Sequence, residues 1–484
     1  MTKSKFKRPW SLVFLALVLV VGPGASAEDR IAPPPPGQEL EALLAEADKI
    51  DGKIGDIRTL AALGPIKKSV KTREELSALL QKKIEEEIEP DELAKETAVL
   101  VRMGLLEEGF DYAEFILNLL TEQIAGFYDN ETRELVIINS GAPISEQRVV
   151  LAHELFHAIQ DQHFSIDSLD APDEGLVGAS GNEDRSLART ALIEGDATAV
   201  MLDFTYYEMG AIAYGSGASL LDNPMASKLI ASQLNSMDPA AMNQAPVLSS
   251  APGWIQEMLT FPYIQGLLFV AKMRSDGNWD QLNQVYLRPP ESTEHILHPE
   301  RYLAGDDPIL VVIDELAVAS KLGAEAQHIY DNVMGELKLR LWLEHHMTPR
   351  ELARMAPGLT VQMAAQGWGG DRLYGFSVDG ETVVVSATVW DTARDALEFE
   401  VALASMYKLR WPEATVTTQK GEYGASHCFA DGDQIHYIER WGPWVVHIEG
   451  LPGGVPFDTV RTAIWETRRV GDYPPTQTRG PGRD

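Results

Sequence analysis

The stretch Val149-Val150-Leu151-Ala152-His153-Glu154-Leu155-Phe156-His157-Ala158-Ile159-Gln160 constrains this chain more than any other. It holds His-Glu-x-x-His inside an apolar pattern of helical spacing. On a helix, residues four apart share a face, so His153 and His157 point the same way, one turn above the other. Two neutral imidazoles held like that bind one Zn²⁺, and Glu154 then reaches a water on the metal. A catalytic zinc site takes three protein ligands, so the rest of the chain has to supply one more.

The chain opens with Lys3, Lys5, Lys7 and Arg8, an apolar run from Trp10 to Val21, and Ala25-Ser26-Ala27. That is the layout of a secretory signal peptide ending at residue 27. The run is short for a bilayer span of roughly 20 residues, which favours cleavage over a retained anchor. The formal net charge is −31, and removing residues 1–27 takes away only positive charges. So acidic a surface excludes nucleic acid and anionic lipid as partners. The single cysteine, Cys428, allows no internal disulfide and reads as a small buried residue. An exported chain of bacterial type, with no stable membrane insertion after signal cleavage, fits both features.

Residues 28–120 read as an N-terminal helical region after a Pro-rich linker. Leu40, Leu43, Leu44 and Ala47 form one apolar face, and Leu76, Leu79, Leu80 and Ile84 form another. The region could be an accessory cap or an inhibitory pro-segment. The catalytic core is expected over 121–350. In it a hairpin spans 125–138, the His-Glu-x-x-His helix runs from about Ser145 to Asp161 or His163, and a long apolar helix covers about Ser186 to Tyr207. Further helices are expected over Trp254–Arg274 and His328–His346, with a loop at 288–302 between them. Strand-like and helical runs then alternate over 367–470, predicting a separate α+β domain with an antiparallel sheet. Residues 471–484 are expected to be a disordered tail.

Two residues compete as third ligand. His163 follows His153 by ten residues, the metzincin spacing, but that geometry breaks the helix at a Gly after the second histidine. This chain has Gln160 there, and on a continuing helix His163 sits about 240° around from His157. The other candidate is Glu194, in Leu192-Ile193-Glu194-Gly195-Asp196-Ala197-Thr198. Here the sequence resembles the gluzincin, thermolysin-like zinc metallopeptidases, which join His-Glu-x-x-His on one helix to a Glu on a later one. The blocks His-Glu-Leu-Phe-His-Ala-Ile-Gln-Asp-Gln-His and Glu-Gly-Asp-Ala-Thr are similar to a branch of bacterial exported proteins. The apolar setting of Glu194 also favours a buried carboxylate only if something charged pairs with it. The chain departs from thermolysin at Thr198, where an acidic residue would orient a histidine. Thr198, Asp196 or another carboxylate would take that role, and Asp196 is itself an alternative ligand.

The resemblance implies an α+β fold: a mainly helical zincin-like core with a small β-hairpin or sheet, joined to the C-terminal α+β domain. It implies Zn²⁺ on His153, His157 and Glu194, with Glu154 as general base in hydrolysis of a peptide or protein substrate. A transition-state donor is expected beside such a site, with His298 first and His295 and Tyr302 also possible. Gly126-Phe127-Tyr128 resembles the edge strand along which such enzymes lay an extended peptide. Competing functions are a non-catalytic binding scaffold of the same fold and a metal-dependent hydrolase of another substrate.

Overall fold

A computed structural model of the chain describes residues 36–473, apart from 88–90, 125, 130–131, 140–143, 171–180, 214, 237–245, 275–277 and 423. The expected signal peptide, most of the linker after it and the tip of the 125–138 hairpin lie outside the described residues. Among the described residues, no helix is long and apolar enough to cross a membrane. The fold is α+β, as expected: a mainly helical part with a small sheet, and a C-terminal part built on an antiparallel sheet.

The helical part begins with α1 (Pro36–Arg58), β1 (Lys67–Lys71), α2 (Arg73–Glu87), α3 (Glu92–Arg102) and α4 (Tyr112–Gln123). The hairpin β2 (Gly126–Asp129) and β3 (Glu134–Ile138) leads into α5 (Ile144–Phe164), and then α6 (Glu183–Glu208) follows. Next come α7 (Pro224–Ser236), α8 (Pro246–Ser250), α9 (Gly253–Met273) and α10 (Trp279–Leu287). The expected loop at 288–302 instead holds two short helices, α11 (Thr293–Leu297) and α12 (Pro299–Ala304). Ser292 caps the first by accepting from the His295 N–H, and Pro299 opens the second.

The first sheet has the order β1-β3-β2, so β2 is an edge strand. β1 pairs in parallel with β3, from Lys67 opposite Glu134 to Lys71 opposite Ile138. Its Lys-Lys-Ser-Val-Lys sequence carries no strand signal. One buried neighbour strand and a solvated face hold it.

Helix α1 is core rather than appendage. Leu43, Ile50, Ile54 and Ile57 are at most 1% exposed and pack with Leu151, Leu155, Phe156 and Ile159 of α5. Each such burial stabilises by about 1.5–3 kcal/mol.

α5 and α6 lie side by side, and α6 runs along α9 with the backbones touching. A Cβ on Gly195 would meet the Gly266 carbonyl carbon at 2.2 Å, and one on Gly266 would meet the Ala191 oxygen at 2.1 Å. Gly195 is thus the residue that lets α6 carry its neighbour Glu194 into the core. Gly195→Ala should destabilise the fold at or above the upper end of the ~1–3 kcal/mol overpacking range. Thermal unfolding reads this as a fall of several degrees; an unchanged melting temperature would mean the helices do not touch there.

The C-terminal part comprises β4 (Ile309–Val312), α13 (Glu315–Leu322), β5 (Gln327–Asn332), α14 (Gly335–His346), α15 (Pro349–Met355) and α16 (Val361–Ala365). Then follow β6 (Trp368–Val378), β7 (Glu381–Trp390), α17 (Ala393–Arg410), β8 (Thr415–Lys420) and β9 (Ala425–Asp431). β10 (Gln434–Trp441), β11 (Trp444–Pro452), α18 (Phe457–Thr467) and β12 (Arg469–Asp472) complete it. Seven strands form one sheet of order β5-β6-β7-β11-β10-β9-β8. Its first strand, β5, comes from upstream of Gly367 and occupies the start of the helix expected over His328–His346; the helix itself begins at Gly335. The tail is also ordered further than expected. β12 pairs with β4 up to Asp472 opposite Ile309, and the Arg185 guanidinium lies 4.3 Å from the Tyr473 ring centroid. Pairing and cation–π contact hold residues 471–473, which the Pro- and Gly-rich composition had assigned to the tail.

Candidate metal centre

α5 contains no Gly or Pro from Ile144 to Phe164, and apolar side chains surround it on most sides. It is therefore a buried helix, and every polar group on it needs a partner. His153 and His157 share one face, their rings meeting edge to face with centroids 4.6 Å apart. Across from them α6 presents Glu194. His153 Nε2 lies 3.0 Å from Glu194 Oε2, His157 Nε2 lies 3.5 Å from that same oxygen, and the two Nε2 atoms are 3.0 Å apart. All three residues are 6% exposed or less. Among the described residues, no other group of three His, Cys, Asp or Glu side chains converges closely enough to hold a metal ion.

The donor set fits zinc. Ligands at ~2.0–2.1 Å from a tetrahedral ion stand ~3.3–3.4 Å apart, close to the 3.0–3.5 Å spacings seen here. A second sign is Glu154. Its carboxylate is buried, and among the described residues neither oxygen has a hydrogen-bond partner, a costly arrangement for a group that serves only the fold. Gly126 of β2 lies directly over it: a Cβ at 126 would stand 3.2 Å from Glu154 Cγ. The edge strand thus runs across Glu154, with glycine where any side chain would crowd it.

Charge in the cluster is strongly coupled. Burial pushes the Glu154 carboxyl well above the usual range, and the Glu194 carboxylate nearby adds to the shift. Burial also lowers His153. It would lower His157 too, but Glu194 and Glu154 outweigh it and raise this imidazole to about 9. Burial opposes the charge on Glu194 as well; there His157 and His153 win and pull it down to about 2. Without a cation, then, the cluster keeps a proton on His157 beside an ionised Glu194. A divalent ion would take over that proton's role.

The other expected residues sit as follows. α5 continues unbroken past Gln160, and His163 Nε2 meets the Ala61 carbonyl at 2.8 Å, apart from the cluster. Asp196 is not among the converging ligands; Arg58 and Tyr286 hold it. His298 is tied through Nε2 to Glu336 Oε1 at 2.9 Å, and that carboxylate raises its pKa. His295 Nε2 meets the Asp306 carbonyl at 2.8 Å, and Tyr302 donates to the Arg288 carbonyl at 2.7 Å. All three carry bonds that fix the 288–307 segment, and none joins the ligand cluster.

Sequence reasoning missed the groups behind His157. Its Nδ1 lies 2.7 Å from Gln160 Oε1, and Gln160 Nε2 donates to the Ile193 carbonyl at 3.0 Å and to the Tyr286 hydroxyl at 2.8 Å. Tyr286 donates to Asp196 Oδ2 at 2.9 Å, and Arg58 Nε donates to Asp196 Oδ1 at 2.8 Å. Gln160, three residues after His157 on the same face, was within reach of a helical-spacing argument. Arg58 and Tyr286 carry no such signal.

Residues 325–460 match a family described as a domain of unknown function, DUF8575. The matched segment starts just before β5, ends inside α18, and contains none of the four cluster residues. Neither the curated proteins nor the solved structures gave a match.

Proposed function

We propose that the protein is an exported zinc metallopeptidase of gluzincin type, hydrolysing peptide bonds in a peptide or protein substrate. One observation carries the reading: three ligand atoms from His153, His157 and Glu194 converge beside a buried carboxylate, Glu154, that no group among the described residues satisfies. A structural cluster has no use for the fourth residue; a hydrolytic centre does.

His153, His157 and Glu194 would hold the ion. When bound, zinc supplies Lewis acidity, polarising a carbonyl and lowering the pKa of a water to ~7. Glu154 acts as the base, taking the proton of the attacking water and delivering it to the leaving amine. Burial raises its pKa above the ordinary carboxylate range, the direction that makes it a stronger base towards the water. The edge strand β2, which carries Gly126 against Glu154, would receive the substrate as an added strand through main-chain pairing. Export is supported by the basic–apolar–Ala-x-Ala layout of residues 1–27, the single cysteine and the acidic charge.

The test is a broad peptide-library digest by the purified protein and its Glu154→Gln variant, with metal analysis of both. Zinc in both samples and cleavage only by the parent is the expected result. Zinc in both without Glu154-dependent cleavage of any peptide would sink the peptidase reading and favour a scaffold or another hydrolase.

A further inference from the structure

We propose that Arg58, at the end of the N-terminal helix, is a positioning residue for the metal centre. It sets which nitrogen of His157 faces the ion, through Asp196, Tyr286 and Gln160. The inference rests on the zinc reading above and extends it to a part of the chain outside the expected core.

The argument follows donors and acceptors. A guanidinium only donates, and Arg58 gives Nε to Asp196 Oδ1 at 2.8 Å and an Nη atom to Asp196 Oδ2 at 3.1 Å. The carboxylate accepts on both oxygens, so the Tyr286 hydroxyl, 2.9 Å from Oδ2, must spend its single proton there. Tyr286 oxygen can then only accept from Gln160, which turns the amide nitrogen of Gln160 towards it. The Ile193 carbonyl, also an acceptor only, takes the second proton of that nitrogen at 3.0 Å, so the two acceptors hold the amide together. Gln160 Oε1 is therefore left facing His157 Nδ1 at 2.7 Å, and Nδ1 must carry a proton. In the neutral ring, Nε2 is then bare, with its lone pair in the cluster, as a metal ligand requires.

The anchor of this relay is built in. Arg58 and Asp196 are both fully buried. The guanidinium lies 4.4 Å from the Trp279 ring centroid and donates to Asn283 Oδ1 at 2.9 Å. Loss of the guanidinium would leave a buried carboxylate without its cation, a strongly destabilising change. Helix α1 is therefore an integral part of the centre, not an inhibitory piece whose removal releases activity. Cutting between α1 and β1 with loss of the helix would inactivate.

The test uses the full mature chain and four variants: Arg58→Met, Arg58→Lys, Tyr286→Phe, and Lys53→Ala as a control on the same helix. Zinc affinity is measured by competition with a chromophoric chelator, and the His157 ring nitrogens are followed by ¹⁵N NMR. Tyr286→Phe removes one hydroxyl without changing shape, and it should weaken zinc binding about 10–100-fold and blur the single His157 tautomer. Arg58→Met should weaken it at least as much, Arg58→Lys should fall between, and Lys53→Ala should bind like the parent. Should Arg58→Met not fold, Tyr286→Phe decides. Parent-like zinc affinity and an unchanged tautomer in Tyr286→Phe would overturn the relay while leaving the metal centre standing. A parent that binds no zinc would overturn the metal centre itself, and the relay with it.

Discussion

Glu154→Gln should raise the melting temperature of the metal-free protein while removing its activity. The carboxylate is buried with neither oxygen satisfied among the described residues, and burial holds its pKa well above the ordinary 4.5. Such a group binds protons more tightly folded than unfolded. Its cost is absent below the unfolded pKa and grows as pH rises above 4.5 towards the folded value. The amide never ionises, so the variant's advantage should be near zero at pH 4 and reach several degrees at pH 8. Activity should fall by about 10²–10⁴, the usual contribution of a positioned base. A stabilising change that destroys function marks a residue kept for chemistry. Equal melting temperatures at both pH values, or retained cleavage, would contradict the role given to Glu154.

The second large effect is competition between zinc and a proton. His157 is raised to about 9 in the folded, metal-free cluster. Its stabilising contribution is therefore complete below the unfolded value of ~6.5 and is lost as pH rises towards 9. Glu194 is lowered to about 2, so its contribution is present above 4.5 and is lost as pH falls towards 2. Together they make the metal-free cluster most favourable between about pH 4.5 and 6.5. Zinc has to displace the His157 proton, so its apparent affinity should climb about tenfold per pH unit up to about 9. Calorimetric titration at pH 7 in buffers of different ionisation enthalpy should find about one proton released per zinc. Stripping zinc with a chelator should cost more stability at pH 9 than at pH 6. Binding with no proton release, or with affinity independent of pH, would contradict the coupled cluster.

How far the sequence revealed this depends on the distance over which each signal acts. His153, Glu154 and His157 were legible because one helical turn sets their geometry. Glu194 was legible only through resemblance and the cost of burying a lone carboxylate, since nothing local ties it to α5. Gln160 entered as the residue that spoils a helix break, but it also bonds to His157, a role the same i, i+3 spacing would have indicated. Arg58 and Tyr286 come from residues far along the chain and meet at Asp196 only through tertiary packing. The lysine-rich β1, and β5 at the start of an apparent helix, were missed because pairing partners rather than intrinsic preference hold them extended. His298, singled out for its chemistry as a transition-state donor, is oriented by Glu336, 38 residues on, through Nε2, a partner no local pattern announces. The long helices α5, α6 and α9 were anticipated, because each is an apolar run of twenty or so residues that local sequence reveals without a distant partner.

The metal centre is tested most directly by diffraction from crystals of the purified protein, with data collected on both sides of the zinc absorption edge. The predicted result is an anomalous peak ~2.0–2.2 Å from His153 Nε2, His157 Nε2 and a Glu194 oxygen, within reach of Glu154. A peak on other ligands, or none between α5 and α6 after zinc has been supplied, would contradict the account.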